Sequence, residues 1–105
     1  MTVVAQFVPV LNDSELSDGA MSPVDVNGSR ILVSRFAGRV YAVQGVCTHE
    51  EQDLGVGFVS EERVTCPLHL SQFDLRDGSV LNPPATAPLR RFNTKIEGGK
   101  ILVEV

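Results

Sequence analysis

Short runs in which apolar and polar residues alternate recur along the chain, and dipeptides that favour chain reversal separate them. Val24 to Val26, Asn27-Gly28 and Arg30 to Phe36 predict a hairpin, because Asn-Gly tolerates the positive φ angles of a type I′ turn. Ala37-Gly38 then leads into Arg39 to Val46 and extends the predicted hairpin to a meander. Since a period of two residues is typical of strands, we expect an all-β fold.

A second hairpin is predicted at the other end of the chain. Leu89 to Glu97 and Lys100 to Val105 flank Gly98-Gly99, and the last of these segments alternates apolar with polar residues. A helical pattern is nearly absent, and the segment from Ser14 to Gly19 predicts a single turn with Ser14 or Asp13 as its N-cap. The expected architecture is therefore built from antiparallel hairpins.

The length and charge of the chain limit its organisation and its partners. We expect 105 residues with 43% hydrophobic content to form one domain, residues 1–105, with its own core. The formal net charge of -4 disfavours nucleic acid and anionic membranes and favours a partner with a basic docking face. Met1 to Val10 lacks a basic region, and no apolar stretch is long enough for a membrane helix. We therefore expect neither a signal peptide nor a membrane anchor. The expected location is the cytoplasm.

All cysteines and histidines of the chain fall into one spacing pattern. One residue separates Cys47 from His49, two separate Cys66 from His69, and sixteen lie between the pairs. Cys47 directly follows the predicted strand that ends at Val46, and Cys66 follows the short predicted strand Arg63 to Thr65, so two loops leave the sheet side by side. Because nothing in the chain indicates secretion, metal ligation is favoured over a disulfide.

Two metal groups fit this ligand set. A single zinc ion would take all four ligands in a tetrahedral structural site. A [2Fe-2S] cluster would take two cysteines on one iron and two histidines on the other. Zinc sites usually place like ligands as pairs, whereas each pair here holds one cysteine and one histidine. The mixed pairs favour the two-iron cluster.

The ligand pairs and the residues that follow them resemble the Rieske iron-sulfur motif. Phe73 to Gly78 and Asn82-Pro83-Pro84-Ala85 are similar to the stretch after the second ligand pair in Rieske ferredoxins. The resemblance implies a Rieske fold, with antiparallel sheets in a sandwich-like base and a small cluster-binding subdomain. Two ligand loops and a proline loop form that subdomain, at about residues 46–85.

The resemblance also implies a role for each ligand. Cys47 and Cys66 are expected to bind the inner iron of one [2Fe-2S] cluster per chain, and His49 and His69 the outer iron. The histidines would then lie at the tip of the protein and give an electron a short exit. Since no nucleophile triad, acid–base pair or nucleotide fingerprint is present in the sequence, we expect an electron carrier and not an enzyme.

Several positions depart from the family pattern. The high-potential members have a disulfide between the ligand loops, and the matching positions here are Gln52 and Leu68. In the same high-potential members, glycine often stands at the position of Leu70, and a tyrosine whose hydroxyl bonds near a ligand sulfur stands at that of Phe73. Fewer hydrogen bonds stabilise the reduced state less, so we expect a potential towards the low end of the Rieske range.

The resemblance is to the ferredoxin component of bacterial aromatic-ring-hydroxylating dioxygenase systems. It implies a monomer that accepts an electron from a flavoprotein reductase using NADH or NADPH and passes it to a terminal oxygenase. Glu50, Glu51 and Asp53 crowd the first ligand loop, either as an acidic collar that steers a basic partner or as a solvated loop. Two alternatives stay open: a Rieske-like small subunit of an assimilatory nitrite reductase, and a zinc-stabilised interaction module.

Overall fold

The computed structural model describes residues 6–47, 53–54, 57–66, 70–83 and 87–105, and of Phe58 only the backbone. The fold is built from strands, with a short 3-10 turn at Asp13–Glu15. The strands are β1 (Phe7–Asn12), β2 (Met21–Val26), β3 (Ser29–Phe36), β4 (Arg39–Gln44), β5 (Phe58–Ser60), β6 (Arg63–Thr65), β7 (Gln72–Asp74), β8 (Val80–Asn82), β9 (Arg91–Phe92), β10 (Thr94–Glu97) and β11 (Lys100–Glu104).

The strands form three antiparallel sheets. The first has the order β1-β11-β10, the second β2-β3-β4-β9 and the third β5-β6-β7-β8. The expected all-β class and the antiparallel pairing are confirmed. None of the helical segments within the described ranges has the length and apolar character that crossing a bilayer requires.

The predicted meander is present. Strands β2 and β3 pair around Asn27 and Gly28, whose φ angles of 51° and 81° are those of the expected turn. Strands β3 and β4 pair around Ala37 and Gly38, again with positive φ angles, of 52° and 79°. Local turn chemistry therefore sets the register of β2, β3 and β4 within the central sheet.

The second hairpin is present, but its first strand is shorter than expected. The sequence predicts one strand from Leu89 to Glu97, whereas β9 pairs with β4 in the second sheet and β10 pairs with β11 in the first. The chain changes sheets at Asn93, whose carbonyl oxygen accepts the amide of Glu104 at 2.9 Å. Alternation marks these residues as extended but does not identify the strand with which each one pairs.

The predicted helical turn lies earlier and is tighter than expected. It spans Asp13–Glu15 as a 3-10 turn that follows Asn12, so neither Ser14 nor Asp13 is its N-cap. The backbone amide of Asn12 donates to the carboxylate of Glu15 at 2.9 Å, so the last residue of the turn caps the start of the turn.

Two apolar cores lie against the central sheet β2-β3-β4-β9. Leu32 and Val43 belong to the core that also holds both cysteines and residues of the third sheet. Ile31, Val33 and Ala42 belong to the other core, with residues of the first sheet. Because successive residues of a strand point to opposite faces, the central sheet separates a base core from the core of the cysteine-bearing part.

Candidate metal centre

The first cysteine lies at the start of a loop whose two ends are joined by backbone hydrogen bonds. Cys47 comes three residues after the end of β4, and Val46 forms an antiparallel bridge with Asp53. The amide of Leu54 donates to the carbonyl of Gly45 at 2.8 Å. Residues 48–52, His49 among them, lie outside the described ranges, but both ends of their loop are fixed.

The second cysteine begins a loop of the same kind. Cys66 directly follows β6, and its amide donates to the Ser71 carbonyl at 2.8 Å. The Leu70 amide donates back to the Cys66 carbonyl at 3.0 Å. His69 lies inside this closed loop but outside the described residues, so its side chain is not placed.

A third loop, which carries the proline segment, is also closed at its base. The amide of Leu89 donates to the Gly78 carbonyl at 2.8 Å, and the amide of Gly78 donates to the Asp74 carbonyl at 2.7 Å. Gly78 has a φ of 81°, and a Cβ at this position would overlap the carbonyl of Leu89. Only glycine allows this approach, so the Asp77-Gly78 sequence has a packing role that its turn chemistry alone does not indicate.

The two cysteines lie in one core. Cys47 is 4% exposed and Cys66 is 2% exposed, and both pack in the cluster that contains Leu54, Phe73 and Leu89. Of the four expected ligands, the structure thus brings the two cysteines together. An apolar core is a poor place for unpaired thiolates, whereas two thiolates on one metal ion are compensated. The described part of the expected site therefore fits a metal group with cysteines on its inner side.

A side-chain ladder joins the proline segment to the second ligand loop. Asn82 Nδ2 donates to Gln72 Oε1, and Gln72 Nε2 donates to Thr65 Oγ1 at 3.2 Å, across β8, β7 and β6. Thr65 directly precedes Cys66, and Asn82 directly precedes Pro83. Sequence reasoning did not find this ladder, because its members are polar residues whose alignment depends on strand register.

The structure describes two of the positions that depart from the Rieske pattern, Leu70 and Phe73. Leu70 has a φ of 62°, the left-handed conformation that glycine adopts without strain. The loop therefore keeps a glycine-like backbone despite the leucine. Phe73 is fully buried in the core with the cysteines. Gln52 and Leu68, the positions that match the absent disulfide, lie outside the described residues.

The acidic residues of the first ligand loop are not all available to a partner. Arg30 Nη2 donates to Asp53 Oδ2 at 2.7 Å and Arg30 Nη1 donates to Asp25 Oδ2 at 3.2 Å. The hydrogen bond to Asp53 is the main reason why the pKa of Arg30 lies above its ordinary value. Asp53 thus helps to fasten the end of the loop to the central sheet, while Glu50 and Glu51 lie outside the described residues.

Comparison with known proteins identifies the family. The sequence-family model of the Rieske [2Fe-2S] domain matches residues 6–93 of this chain. The ferredoxin component of biphenyl 2,3-dioxygenase from Rhodococcus jostii (strain RHA1) is 32% identical over 96 residues, which cover 91% of this chain and 90% of the relative. The ferredoxin component of the alkene monooxygenase system of Xanthobacter autotrophicus (strain ATCC BAA-1158 / Py2) is 34% identical over 99 residues, covering 93% of this chain and 80% of the relative.

Solved structures agree with this assignment. The ferredoxin of carbazole 1,9a-dioxygenase from Nocardioides aromaticivorans IC177 superposes with a TM-score of 0.88 at 33% identity, over 92% of this chain and 95% of the other. A complex of reduced oxygenase and oxidized ferredoxin in carbazole 1,9a-dioxygenase contains a chain with a TM-score of 0.89 at 26% identity, covering 93% and 92% of the two chains. The chain thus belongs to the Rieske [2Fe-2S] domain family, and its cofactor is a [2Fe-2S] cluster.

Proposed function

We propose that this chain is a one-electron carrier whose cluster is bound by Cys47, His49, Cys66 and His69. Cys47 and Cys66 hold the inner iron, and His49 and His69 the outer iron. The observation that carries this proposal is the burial of both cysteines in one core, each at the start of a backbone-closed loop. A histidine follows each cysteine within its loop, so the two loops supply one ligand of each kind.

The ligand set determines the charge that the protein must accommodate. Two ferric ions, two sulfides, two thiolates and two neutral imidazoles sum formally to zero, and uptake of one electron makes this minus one. Thiolates in place of the imidazoles would lower the starting charge by two, so histidine ligation makes the electron easier to accept. Because Phe73 supplies no hydroxyl, we place the potential towards the low end of the Rieske range.

Residues 1–105 act as one domain in this proposal, with the cluster-binding part at about residues 46–85. The central sheet and the cysteine-bearing core exclude water from the thiolate side. Leu70 is 61% exposed directly after His69, and Leu81, on β8, is 42% exposed. These apolar side chains lie at the end of the sheet that carries the second ligand pair, so we place electron exit and partner docking at this end.

We propose a flavoprotein reductase that draws on NADH or NADPH as the electron donor and a terminal ring-hydroxylating oxygenase as the acceptor. The support is that relatives similar over most of the chain are ferredoxin components of dioxygenases. The aromatic substrate binds the oxygenase and not this protein. We further propose a cytoplasmic monomer without nucleic-acid or membrane partners, in keeping with the formal net charge of -4.

A specific observation supports a second candidate acceptor, the oxygenase of an alkene monooxygenase system. The relative that is 34% identical is the ferredoxin component of such a system. A carrier is favoured over a small subunit of an assimilatory nitrite reductase and over a zinc-stabilised module, because these relatives and solved structures are ferredoxins.

Anaerobic electron transfer tests the proposal. The dithionite-reduced protein, freed of excess reductant, is mixed with the purified oxygenase of a biphenyl dioxygenase system, with that of an alkene monooxygenase system, or with a sirohaem nitrite reductase. We expect one of the two oxygenases to oxidise the carrier, with one electron transferred per chain, and the nitrite reductase to leave it reduced. Preferential oxidation by the nitrite reductase, or a colourless protein with one zinc per chain, would overturn the proposal.

His69→Cys provides a check on the ligand assignment that does not require a partner. An added thiolate makes the cluster more negative, so the midpoint potential of any assembled cluster should fall. An unchanged midpoint potential would contradict ligation by His69.

A further inference from the structure

A groove of about 430 Å3 lies between the central sheet, β10 and the turn that follows β7. Its lining includes Tyr41 and four basic residues, Arg39, Arg76, Arg91 and Lys95. Its size is within the range of small-molecule and peptide-side-chain sites in proteins. No role in holding a cluster accounts for this groove.

The groove lies at the opposite end of the strands from the cysteines. Arg39 begins β4, which runs towards Cys47 at its other end. Arg76 follows β7, which is antiparallel to β6, the strand that leads to Cys66. At about 3.3 Å per residue, the six residues of β4, Arg39–Gln44, alone extend roughly 17 Å towards Cys47. A partner segment in the groove therefore leaves the cluster end free.

Positive charge is concentrated around the groove, although the chain as a whole has a net charge of -4. Four of the nine basic residues of the chain line it, and its described lining contains no carboxylate. The guanidinium of Arg76 is paired with Asp74 at 2.7 Å, and the ammonium of Lys95 is paired with Glu97 at 3.2 Å.

Arg39 and Arg91 are different, because neither forms an ion pair within the described part of the chain. Arg91 Nη2 donates to the neutral Asn93 Oδ1 at 2.9 Å. The guanidinium of Arg39 lies near the hydroxyl of Tyr41. Two arginines without an ion-pair partner among the described residues therefore flank the groove, and guanidinium groups bind carboxylates in a bidentate manner.

Two strand edges also border the groove. Strand β10 is the last in its sheet, and β9 covers β4 only at Ala42 and Val43. The Thr94 hydroxyl donates to the Val40 carbonyl at 3.0 Å and ties the two edges together at one point. Beyond this link, the described sheet pairings leave the outer edge of β4 at Arg39 to Tyr41 without a partner strand. Edges of this kind accept an extended peptide through backbone hydrogen bonds.

We propose that this groove binds an extended acidic segment of a protein partner, at a site remote from the cluster. The arginines recognise the carboxylates, and the strand edges favour an extended backbone over a compact anion. Such a site would tether a partner while the cluster end exchanges electrons, which raises the effective concentration of the two redox centres. The binding site itself does not depend on the identity of the electron acceptor.

The test uses the cluster-containing protein and acetyl-hexaglutamate-amide as the probe. Binding is followed at low salt by amide chemical shifts in an NMR titration. Arg39→Ala combined with Arg91→Ala should weaken the affinity about tenfold, as expected for the loss of two solvent-exposed charge pairs. The control combines Arg90→Ala with Lys100→Ala, which removes the same charge at residues outside the lining and should change the affinity less than twofold.

Each outcome of the titration bears on the proposal. Shifts confined to β4, β9 and β10, together with a selective effect of the groove variant, support it. Equal weakening by both variants means that net charge alone attracts the peptide and overturns it, as does the absence of binding at low salt. Inorganic phosphate is titrated in parallel, and binding of phosphate as tight as that of the peptide would assign the groove to a small anion instead.

Discussion

The hydroxyl of Tyr41 donates a hydrogen bond of 2.6 Å to the carboxylate of Glu62. Tyr41 lies on β4 of the central sheet, and Glu62 lies in the turn between β5 and β6 of the cysteine-bearing sheet. The backbone carbonyl of Glu62 also accepts the amide of Leu75 at 2.9 Å. The bond between Tyr41 and Glu62 therefore joins the central sheet to the part of the fold that carries the ligand loops.

Tyr41→Phe should lower the free energy of unfolding by about 1 kcal/mol, because it removes this bond while retaining the ring. For a domain of this size, that loss corresponds to a thermal midpoint lower by roughly 4 °C or more. Burial, followed by the bond to Glu62, raises the pKa of Tyr41. The contribution is thus present below the ordinary tyrosine pKa of about 10 and is lost as pH rises through the raised pKa.

A double-mutant cycle with Glu62→Ala isolates the pair. If the two residues act through their mutual bond, the double variant loses less stability than the sum of the single variants. Additive losses would show that Tyr41 and Glu62 contribute separately.

Leu70→Gly should stabilise the protein, by up to about 1 kcal/mol, because it relieves a left-handed backbone conformation that costs a leucine roughly 1–2 kcal/mol. Leu70→Ala is the matched control, since it also shortens the exposed side chain but retains the backbone strain. Thermal unfolding distinguishes the two variants, and a glycine variant less stable than the alanine variant would contradict the strain argument. If Leu70 contacts the electron acceptor, both variants should slow electron transfer to the oxygenase to a similar extent.

Gly78→Ala should be among the most damaging single-methyl changes in the chain, because the added Cβ overlaps the Leu89 carbonyl at the base of the proline loop. Gly38 has a similar φ of 79°, but no atom lies within 4 Å of the place that an added methyl group would occupy, so Gly38→Ala isolates the cost of the backbone conformation. We expect about 1 kcal/mol of destabilisation at Gly38 and several kcal/mol at Gly78. Equal losses, measured by thermal unfolding, would mean that the Leu89 contact relaxes freely.

Asp74 should support stability at neutral pH through Arg76. The side chain of Arg76 donates to its carboxylate at 2.7 Å and 3.0 Å and, as the largest cause, holds the pKa of Asp74 below its ordinary value. This contribution is present above the ordinary aspartate pKa of about 3.9 and is lost as pH falls through the lowered pKa.

Asp74→Asn should therefore cost about 1 kcal/mol at pH 7, a figure reduced by the solvent exposure of Arg76. The difference in thermal midpoint between the variant and the parent should narrow as the pH falls below about 3.9. Glu61→Gln, at the exposed pair with Arg63, is the control and should change the midpoint little at any pH. A difference that stays constant down to acid pH would contradict an electrostatic role for Asp74.

Local signals predicted the parts of the fold that short segments determine. Asn27-Gly28 and Gly98-Gly99 specified both hairpins, and β6 has the bounds expected from the run Arg63 to Thr65. The sheet change at Asn93 was not predicted, because strand partners depend on how three sheets stack. The contacts of Tyr41 with Glu62 and of Asn82 with Gln72 also require tertiary register, so spacing along the chain did not indicate them.

For the candidate site, the sequence predicted the cysteines but not the backbone conformation of the loops. The spacing identified the cysteines that the structure places in one core, while the roles of His49 and His69 remain predictions from the motif. The glycine-like backbone of Leu70 and the closure of the proline loop by Gly78 were not predictable from alternation, since both depend on contacts within the loops.

An EPR spectrum of the dithionite-reduced protein tests the central claim most directly, because histidine ligation of one iron lowers the average g value of a [2Fe-2S] cluster relative to all-cysteine ligation. We predict a signal that integrates to one spin per chain, with an average g value below that of all-cysteine [2Fe-2S] proteins. The absence of a signal, or a signal with the average g value of an all-cysteine cluster, would contradict a cluster held by Cys47, His49, Cys66 and His69.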